Sequence, residues 1–215
     1  MKISLVLVIF VFSFSCYANE RTMNESEKYI YETIKANVWG GFYSPSDVQQ
    51  SISDILEDDA DEKMLRKAVD IEFSKKNEAE KTWPKITDVD SLKIAFKNLE
   101  KRGVLCLHYA GVTNSDGHED SNEALKDFPK NQFFGYCFYH RQNYEVALKG
   151  GGLRIAFDHV KRNASDKAIM KVGILIQEEL EKVGLKTQWN KNTSEKIYIP
   201  KMNWFHRGVN DDFYH

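Results

Sequence analysis

Three short stretches decide the fold: VLCLHYA at residues 104–110, QFFGYCFY at 132–139 and LRIAF at 153–157. Each is apolar or aromatic and is bounded by glycine or polar clusters, which is typical of buried strands. The two connections are long enough for the roughly dozen residues that a parallel crossover requires. Strand, crossover and strand in succession predict that these three strands run parallel.

A parallel arrangement would bring the carboxyl ends of all three strands to one edge, where open α/β sheets bind ligands. We therefore predict a polar binding face there. Its candidate residues are Thr113, Ser115, Asp116 and His118 after the first strand, His140 and Gln142 after the second, and Asp158 and His159 after the third. His140 is the strongest candidate because it ends the aromatic strand. An ionised Asp116 beside it would raise its pKa above about 6.5.

Helical patterns surround the strands. Residues 19–82 contain only helical patterns, and we predict that they form a helical N-terminal segment. An α/β domain is predicted to follow at 83–215. Residues 77–81 are predicted to be a polar link. Late strands are expected at Leu185–Trp189 and Lys196–Ile199, around a hairpin loop. The predicted fold class is α/β, with a helical N-terminal segment followed by a mixed, partly parallel sheet flanked by helices.

Two helix starts are marked by capping residues. Ser44 has Asp47 three residues on, and Thr87 has Asp90 three residues on. Both pairs can form a capping box, in which each side chain bonds the backbone N–H of the other residue.

The connection after the first strand is predicted to begin with a loop and not with a capped helix. Residues 111–120 are predicted to be a polar loop, with a short helix at 121–126. Asn, Ser, Asp and Gly at 114–117 are common turn residues. The Ser115-Asp116-Gly117 sequence also lacks the G-x-S-x-G pattern of a nucleophile elbow.

Composition excludes several protein classes. Of 215 residues, 42% are hydrophobic and 29% charged, which is ordinary for globular proteins and argues against a disordered chain. Thirty Lys and Arg against 32 Asp and Glu give a net charge of −2. Nucleic-acid binders usually carry a basic excess, so we predict no nucleic-acid partner.

Residues 1–18 have the pattern of a secretory signal peptide. An apolar run at 3–14 follows one lysine, and the small residues Cys16 and Ala18 suit the cleavage positions. The run is shorter than the roughly 20 residues needed to span a bilayer. We predict a mature chain beginning at Asn19, export to the periplasm or beyond, and no stable membrane anchor. Lipid attachment at Cys16 and a retained anchor are the alternatives.

Cleavage would leave Cys106 and Cys137, both in apolar strands. A disulfide between them is permitted in an oxidising compartment, and the alternative is two buried thiols. Neither has the CxxC spacing of a metal or redox pair.

The same region resembles a bacterial family catalogued as domain of unknown function 6891. The resemblance runs from Trp83 to about Ile199, with a weaker match at 41–48. Its motifs are TDxDxLxxAFxxLExRG at 87–103, AGxTxSDG at 110–117, GYCFYHxQ at 135–142, GGGL at 150–153 and a late Trp189. The resemblance implies an α/β domain and supplies no activity. The chain departs from the family at Asn143, where members usually carry an acid.

Two classes of function stay open. The first is a binding or interaction module that uses the polar strand-end face or the helical N-terminal surface, with a protein or a small molecule as its ligand. The alternative is a small hydrolase, with or without a metal ion, that uses His118, His140 and Asp116. No HExxH spacing or complete catalytic set is present, so the binding module is favoured and no cofactor is predicted.

Overall fold

The computed structural model describes residues 22–208, and the predicted signal peptide lies outside this range. Its elements follow in the order α1 (Glu25–Gly40), α2 (Pro45–Ile55), α3 (Glu62–Glu80), α4 (Asp88–Lys101), β1 (Val104–Leu107), α5 (Asn114–Ala124), β2 (Gly135–Phe138), α6 (Arg141–Leu148), β3 (Leu153–His159), α7 (Asp166–Lys182) and β4 (Ile197–Ile199). A 3₁₀ turn follows α5 at Leu125–Asp127. Within these residues, none of the helices combines the length and the apolar character that a membrane span requires.

Reciprocal side-chain caps fix where several helices begin. At α2, Ser44 Oγ accepts a hydrogen bond from the Asp47 N–H, and the Asp47 carboxylate accepts one from the Ser44 N–H. Thr87 and Asp90 form the same pair at α4. Both predicted capping boxes are confirmed, because a short side chain three residues from a carboxylate satisfies two free backbone donors at once.

The sheet has the strand order β1-β2-β3-β4 and is mixed and partly parallel, as predicted. β1 and β2 run parallel, but β3 is antiparallel to β2 and β4 is antiparallel to β3. The prediction of three parallel strands is therefore wrong. The connection between β2 and β3 is short, since α6 has 8 residues and packs against both α1 and β3. Gly150 and Gly152, both at positive φ, then turn the chain directly into β3.

The two faces of the sheet are covered unequally. One face, which includes Cys137 and Ile155, packs against α4 and α7 in the main core. The opposite face, here called the α5 face, includes Tyr136 and Phe138 and is covered by α5. Gly117 allows this close approach, because a Cβ atom there would lie 2.1 Å from the Phe138 ring.

Helices α1–α3 pack around an apolar cluster of their own. Its buried members are Ile30, Ile34, Val38, Val48, Ile52, Leu65 and Val69. Helix α3 continues to Glu80, so the predicted polar link at 77–81 is wrong. Polar residues prolong a helix readily where they face solvent, and the Asn and Glu at 77 and 78 are exposed.

Two further expectations differ from the structure. Helix α5 begins inside the predicted polar loop at 111–120, because Thr113 and Asp116 form a capping box. The predicted strand at 185–189 is reduced to a single bridge at Gln188. Its polar residues lie beside β4 without the continuous ladder that defines a strand.

Candidate functional site

The carboxyl ends of the parallel pair β1 and β2 meet at one edge, as predicted for these two strands. The Arg141 N–H donates to the Gly111 carbonyl at 3.0 Å, and the Ala110 N–H donates to the Tyr139 carbonyl at 2.9 Å. The loops after β1 and β2 are therefore in direct contact. Thr113, Asp116, His140 and Gln142 all belong to this region.

Thr113 and Asp116 serve the helix rather than an open site. The Asp116 carboxylate accepts hydrogen bonds from the N–H groups of Thr113 at 2.9 Å and Val112 at 3.1 Å. These bonds, with one from the Thr113 hydroxyl, lower the pKa of Asp116. Ser115 is exposed in the first turn of α5, and Gln142 is exposed in the first turn of α6.

Asp158 and His159 do not lie at the predicted edge. Because β3 is antiparallel, His159 pairs with Gly135, the first residue of β2. The His159 Nδ1 accepts a hydrogen bond from the Lys161 N–H at 2.9 Å, which orders the loop after β3. The assignment of these two residues to the carboxyl edge is wrong.

Asp158 nevertheless meets another candidate, because both lie on the α5 face. Asp158 is the cross-strand neighbour of Tyr136, and the Tyr136 hydroxyl lies 2.9 Å from His118 Nδ1. Burial, with the negative charge of Asp158, raises the pKa of Tyr136 to about 12. Burial lowers the pKa of His118, although Asp158 acts in the opposite direction. His118 is therefore a neutral ring at neutral pH.

His140 contacts a residue that sequence reasoning missed. Its Nε2 lies 3.0 Å from Lys196 Nζ, and the ring is only 4% exposed. Burial and then the positive charge of Lys196 lower the pKa of His140, while Asp116 has a smaller opposing effect. The expected rise in this pKa is wrong. Lys196 was hidden because its position depends on the pairing of β4 with β3, which the sequence pattern did not reveal.

The two predicted thiols are adjacent and free. Cys106 and Cys137 are paired in register on β1 and β2, and their sulfur atoms lie 3.3 Å apart. Burial, together with the neighbouring Cys137, raises the pKa of Cys106 well above its ordinary value. Both thiols therefore belong to the core.

A groove of about 960 Å³ lies between α1 and α2 on one side and α6 and the segment after β4 on the other. Here called the interdomain groove, it is lined by residues of α1, α2, α6 and the segment after β4, among them Trp39, Tyr43, Arg141, Gln142 and Trp204. It opens beside the carboxyl ends of β1 and β2, since Val112 and Gln142 both line it. Of the eight residues predicted for the strand-end face, only Gln142 lines this groove.

Arg141 is one of the charged residues that line the interdomain groove. Its Nε donates to Glu145 at 2.7 Å, and its Nη2 donates to the side-chain oxygen of the buried Asn37 at 3.4 Å. Burial alone would lower the pKa of Arg141, but the bond to Glu145 raises it overall. The guanidinium is therefore permanently charged and held in one orientation.

No three His, Cys, Asp or Glu side chains among residues 22–208 converge closely enough to hold a metal ion. His118 bonds a tyrosine, and the carboxylate of Asp116 is occupied by backbone donors. The geometry thus offers two places for a ligand: the interdomain groove and the polar cluster on the α5 face.

Comparison with known proteins places the chain in a family. The profile described as Domain of unknown function (DUF6891) matches residues 23–208. The chain belongs to the DUF6891 family. No curated protein matches it, and no solved structure matches it.

The family match spans helices α1–α3 as well as the sheet and the helices that flank it. It therefore includes both walls of the interdomain groove and the whole sheet. The motifs at 110–117 and 135–142, which carry the sequence resemblance, include the loops after β1 and β2 that contact each other. Both motifs reach residues beside the interdomain groove.

Proposed function

We propose that this protein is a binding module that holds a small amphipathic carboxylate in the interdomain groove. The single observation that carries the proposal is the groove of about 960 Å³, which contains an oriented arginine. Ligand pockets of about 300–1,000 Å³ with an apolar lining and a few convergent polar groups are typical of small-molecule sites.

The walls suit a flat apolar body. Trp39, Tyr43 and Trp204 contribute aromatic surface from three parts of the chain. The Trp204 indole N–H donates to the Gly40 carbonyl at 3.1 Å, and the Tyr43 hydroxyl lies 2.6 Å from that of Tyr109. Because these bonds fix the aromatic groups beforehand, a ligand would bind with little loss of side-chain entropy.

Arg141 suits a carboxylate. A guanidinium has five N–H donors, and Glu145 and Asn37 take one each. The remaining donors have no bond to any residue from 22 to 208. Planar, bidentate recognition of a carboxylate is the interaction that arginine favours over lysine.

The test uses indole-3-acetate as the probe and indole-3-acetamide as its uncharged match. We expect saturable shifts of the Trp39 and Gln142 NMR signals, with the amide about 10-fold weaker because it lacks the charge. Arg141→Lys should weaken indole-3-acetate similarly, and Arg162→Ala, at an exposed position outside the groove, should not. Equal binding of both probes, unchanged binding by the Arg141 variant, or no saturable shift would contradict the proposal.

We also propose that the protein acts after export to the periplasm or the extracellular space, without a membrane anchor. The support is the signal-peptide pattern of residues 1–18. Mass spectrometry of the exported protein should give a chain that begins at Asn19. A full-length product, or one beginning at a lipid-modified Cys16, would contradict this.

The hydrolase stays a second hypothesis, and its residues would be those of the α5 face. The proximity of His118, Tyr136 and Asp158 favours proton transfer there over a metal-assisted reaction. Metal analysis of the purified protein separates the two forms of this hypothesis. Stoichiometric zinc or manganese that is lost in His140→Ala would favour the metal-dependent form.

A further inference from the structure

The α5 face gathers charged side chains from β3 and β4. Arg154 is the cross-strand partner of Tyr198, and its guanidinium lies 4.5 Å from the centre of that ring. Lys196 lies two residues before Tyr198, so the alternation of side chains places it on the same face. Arg154 and Lys196 are therefore diagonal neighbours, within reach of each other as long side chains.

Among residues 22–208, these two cations have no acidic partner. Neither forms a salt bridge with any residue between 22 and 208, and Lys196 Nζ instead lies 3.0 Å from the neutral ring of His140. Burial and the positive charge of Arg154 both lower the pKa of Lys196. Two neighbouring cations without a counter-charge repel each other, and a bound anion would remove this repulsion.

Helix α5 supplies a third donor, His118, which lies over β2 on the same face of the sheet. His118 stands over Phe138, with ring centres 5.0 Å apart, and its Nδ1 is taken by Tyr136. Its Nε2 has no hydrogen bond to the described residues. Phe138 pairs with Ala156 of β3, and the pairing of Ile155 with Ile197 places Lys196 level with Ala156 on the same face. The positive charge of Lys196 also lowers the pKa of His118.

We infer that the α5 face binds a phosphate-type oxyanion between Lys196, Arg154 and His118. A phosphate group carries three strong acceptor oxygens, one for each of the donors from β3, β4 and α5. This site is separate from the interdomain groove, because none of the three residues lines it. The inference therefore does not rest on the proposed function.

Two acidic residues lie near the site, and their negative charges would oppose a bound anion. Asp158 is on the same face, and its Oδ1 accepts the His159 N–H at 2.6 Å. Asp116 acts on His140 from the start of α5, where its carboxylate is bonded to backbone donors. Asp158 is the acid that would oppose an anion most directly. Removing its charge should therefore strengthen anion binding.

The experiment is an NMR titration of the purified protein with inorganic phosphate at neutral pH and constant ionic strength. We expect saturable shifts at residues 118, 154 and 196. Lys196→Gln should weaken phosphate about 10-fold, and Asp158→Asn should strengthen it, because charge-assisted hydrogen bonds hold the anion. Lys196→Arg, which keeps the charge, should retain binding. Lys67→Gln, at an exposed site on α3, is the matched control.

A second arm identifies the source of the phosphate group. Tighter binding of phenyl phosphate than of inorganic phosphate would assign the site to phosphate monoesters, and equal affinity would assign it to the free ion. Absence of saturable shifts would overturn the inference. An equal loss of affinity in Lys67→Gln and Lys196→Gln would also overturn it, since it would show general attraction to the surface.

Discussion

The buried carboxylate of Glu72 holds α1 against α3 and positions one wall of the interdomain groove. Glu72 is 2% exposed and accepts hydrogen bonds from the Tyr31 hydroxyl at 2.8 Å and the Trp39 indole at 3.0 Å. Lys75 donates to it at 2.7 Å from a side chain that is 55% exposed. Trp39 is the same residue that lines the groove.

The expected cost of Glu72→Ala follows from these contacts. A hydrogen bond to a charged group contributes about 1.5–3 kcal/mol, and both neutral donors are half-buried, so the lower figure applies to each. The Lys75 pair is well solvated and contributes about 0.5 kcal/mol at most. Glu72→Ala should therefore lower the free energy of unfolding by about 3 kcal/mol. Glu72→Gln, which keeps one acceptor oxygen, should lower it by roughly half as much.

The acid dependence of stability gives an independent check. Burial acts to raise the pKa of Glu72, but the bonds from Lys75, Trp39 and Tyr31 together lower it. A carboxyl group with a lowered folded-state pKa stabilises the fold above its unfolded value of about 4.3. That stability is lost as the pH falls through the folded-state pKa. Glu72→Gln should therefore flatten the stability profile below about pH 4.3.

Urea unfolding of the wild type and both Glu72 variants is the assay, with Glu78→Ala as the control on the same helix. Glu78 pairs with Lys81 where both side chains are about two-thirds exposed, at 70% and 67%, so its loss should be below about 0.5 kcal/mol. The Trp39 indole N–H signal should also move in the Glu72 variants. A Glu72→Ala variant no less stable than Glu78→Ala would refute the reasoning.

Three further predictions follow from the core. Gly117→Ala should lower the unfolding free energy by about 1–3 kcal/mol, because its Cβ would lie 2.1 Å from the Phe138 ring; an unchanged urea midpoint would count against this packing. Phe96→Ala should lower it by about 3–5 kcal/mol, since Phe96 is 2% exposed; a loss under about 1 kcal/mol would contradict its place in the core. N-ethylmaleimide should label Cys106 and Cys137 about 100-fold more slowly in the native than in the urea-unfolded protein, and equal rates would show that the thiols are accessible.

Capping residues close together in the sequence predicted where α2 and α4 begin. The direction of β3 depends on pairing between distant residues and was not predicted. Thr113 and Asp116 have the same spacing as Thr87 and Asp90, and both pairs form capping boxes. The first pair escaped prediction because Gly117 follows it, and glycine there was interpreted as part of a turn. In the structure that glycine is needed for contact between the helix and the sheet, a tertiary requirement that no local pattern contains.

Strand direction explains which candidate residues came together. The length of a connection permits a parallel crossover without requiring one, and here α6 packs against α1 as well as β3 and leads into an antiparallel strand. The antiparallel β3 takes His159 away from the predicted edge. It brings Asp158 beside Tyr136, near His118, through a shared sheet face. Asp158 and His118 were therefore chosen because three parallel strands were expected to end at one edge, whereas the structure brings them together through an antiparallel β3.

The end of β2 separates the two proposed sites. Tyr139 is buried in the main core, the next residue, His140, contacts Lys196, and Arg141 lines the interdomain groove. Successive side chains diverge as the strand passes into α6, so adjacent residues serve different surfaces. The two sites should therefore respond independently. Arg141→Lys should leave phosphate binding unchanged and Lys196→Gln should leave indole-3-acetate binding unchanged, whereas a loss of both ligands in either variant would mean that one site had been mistaken for two.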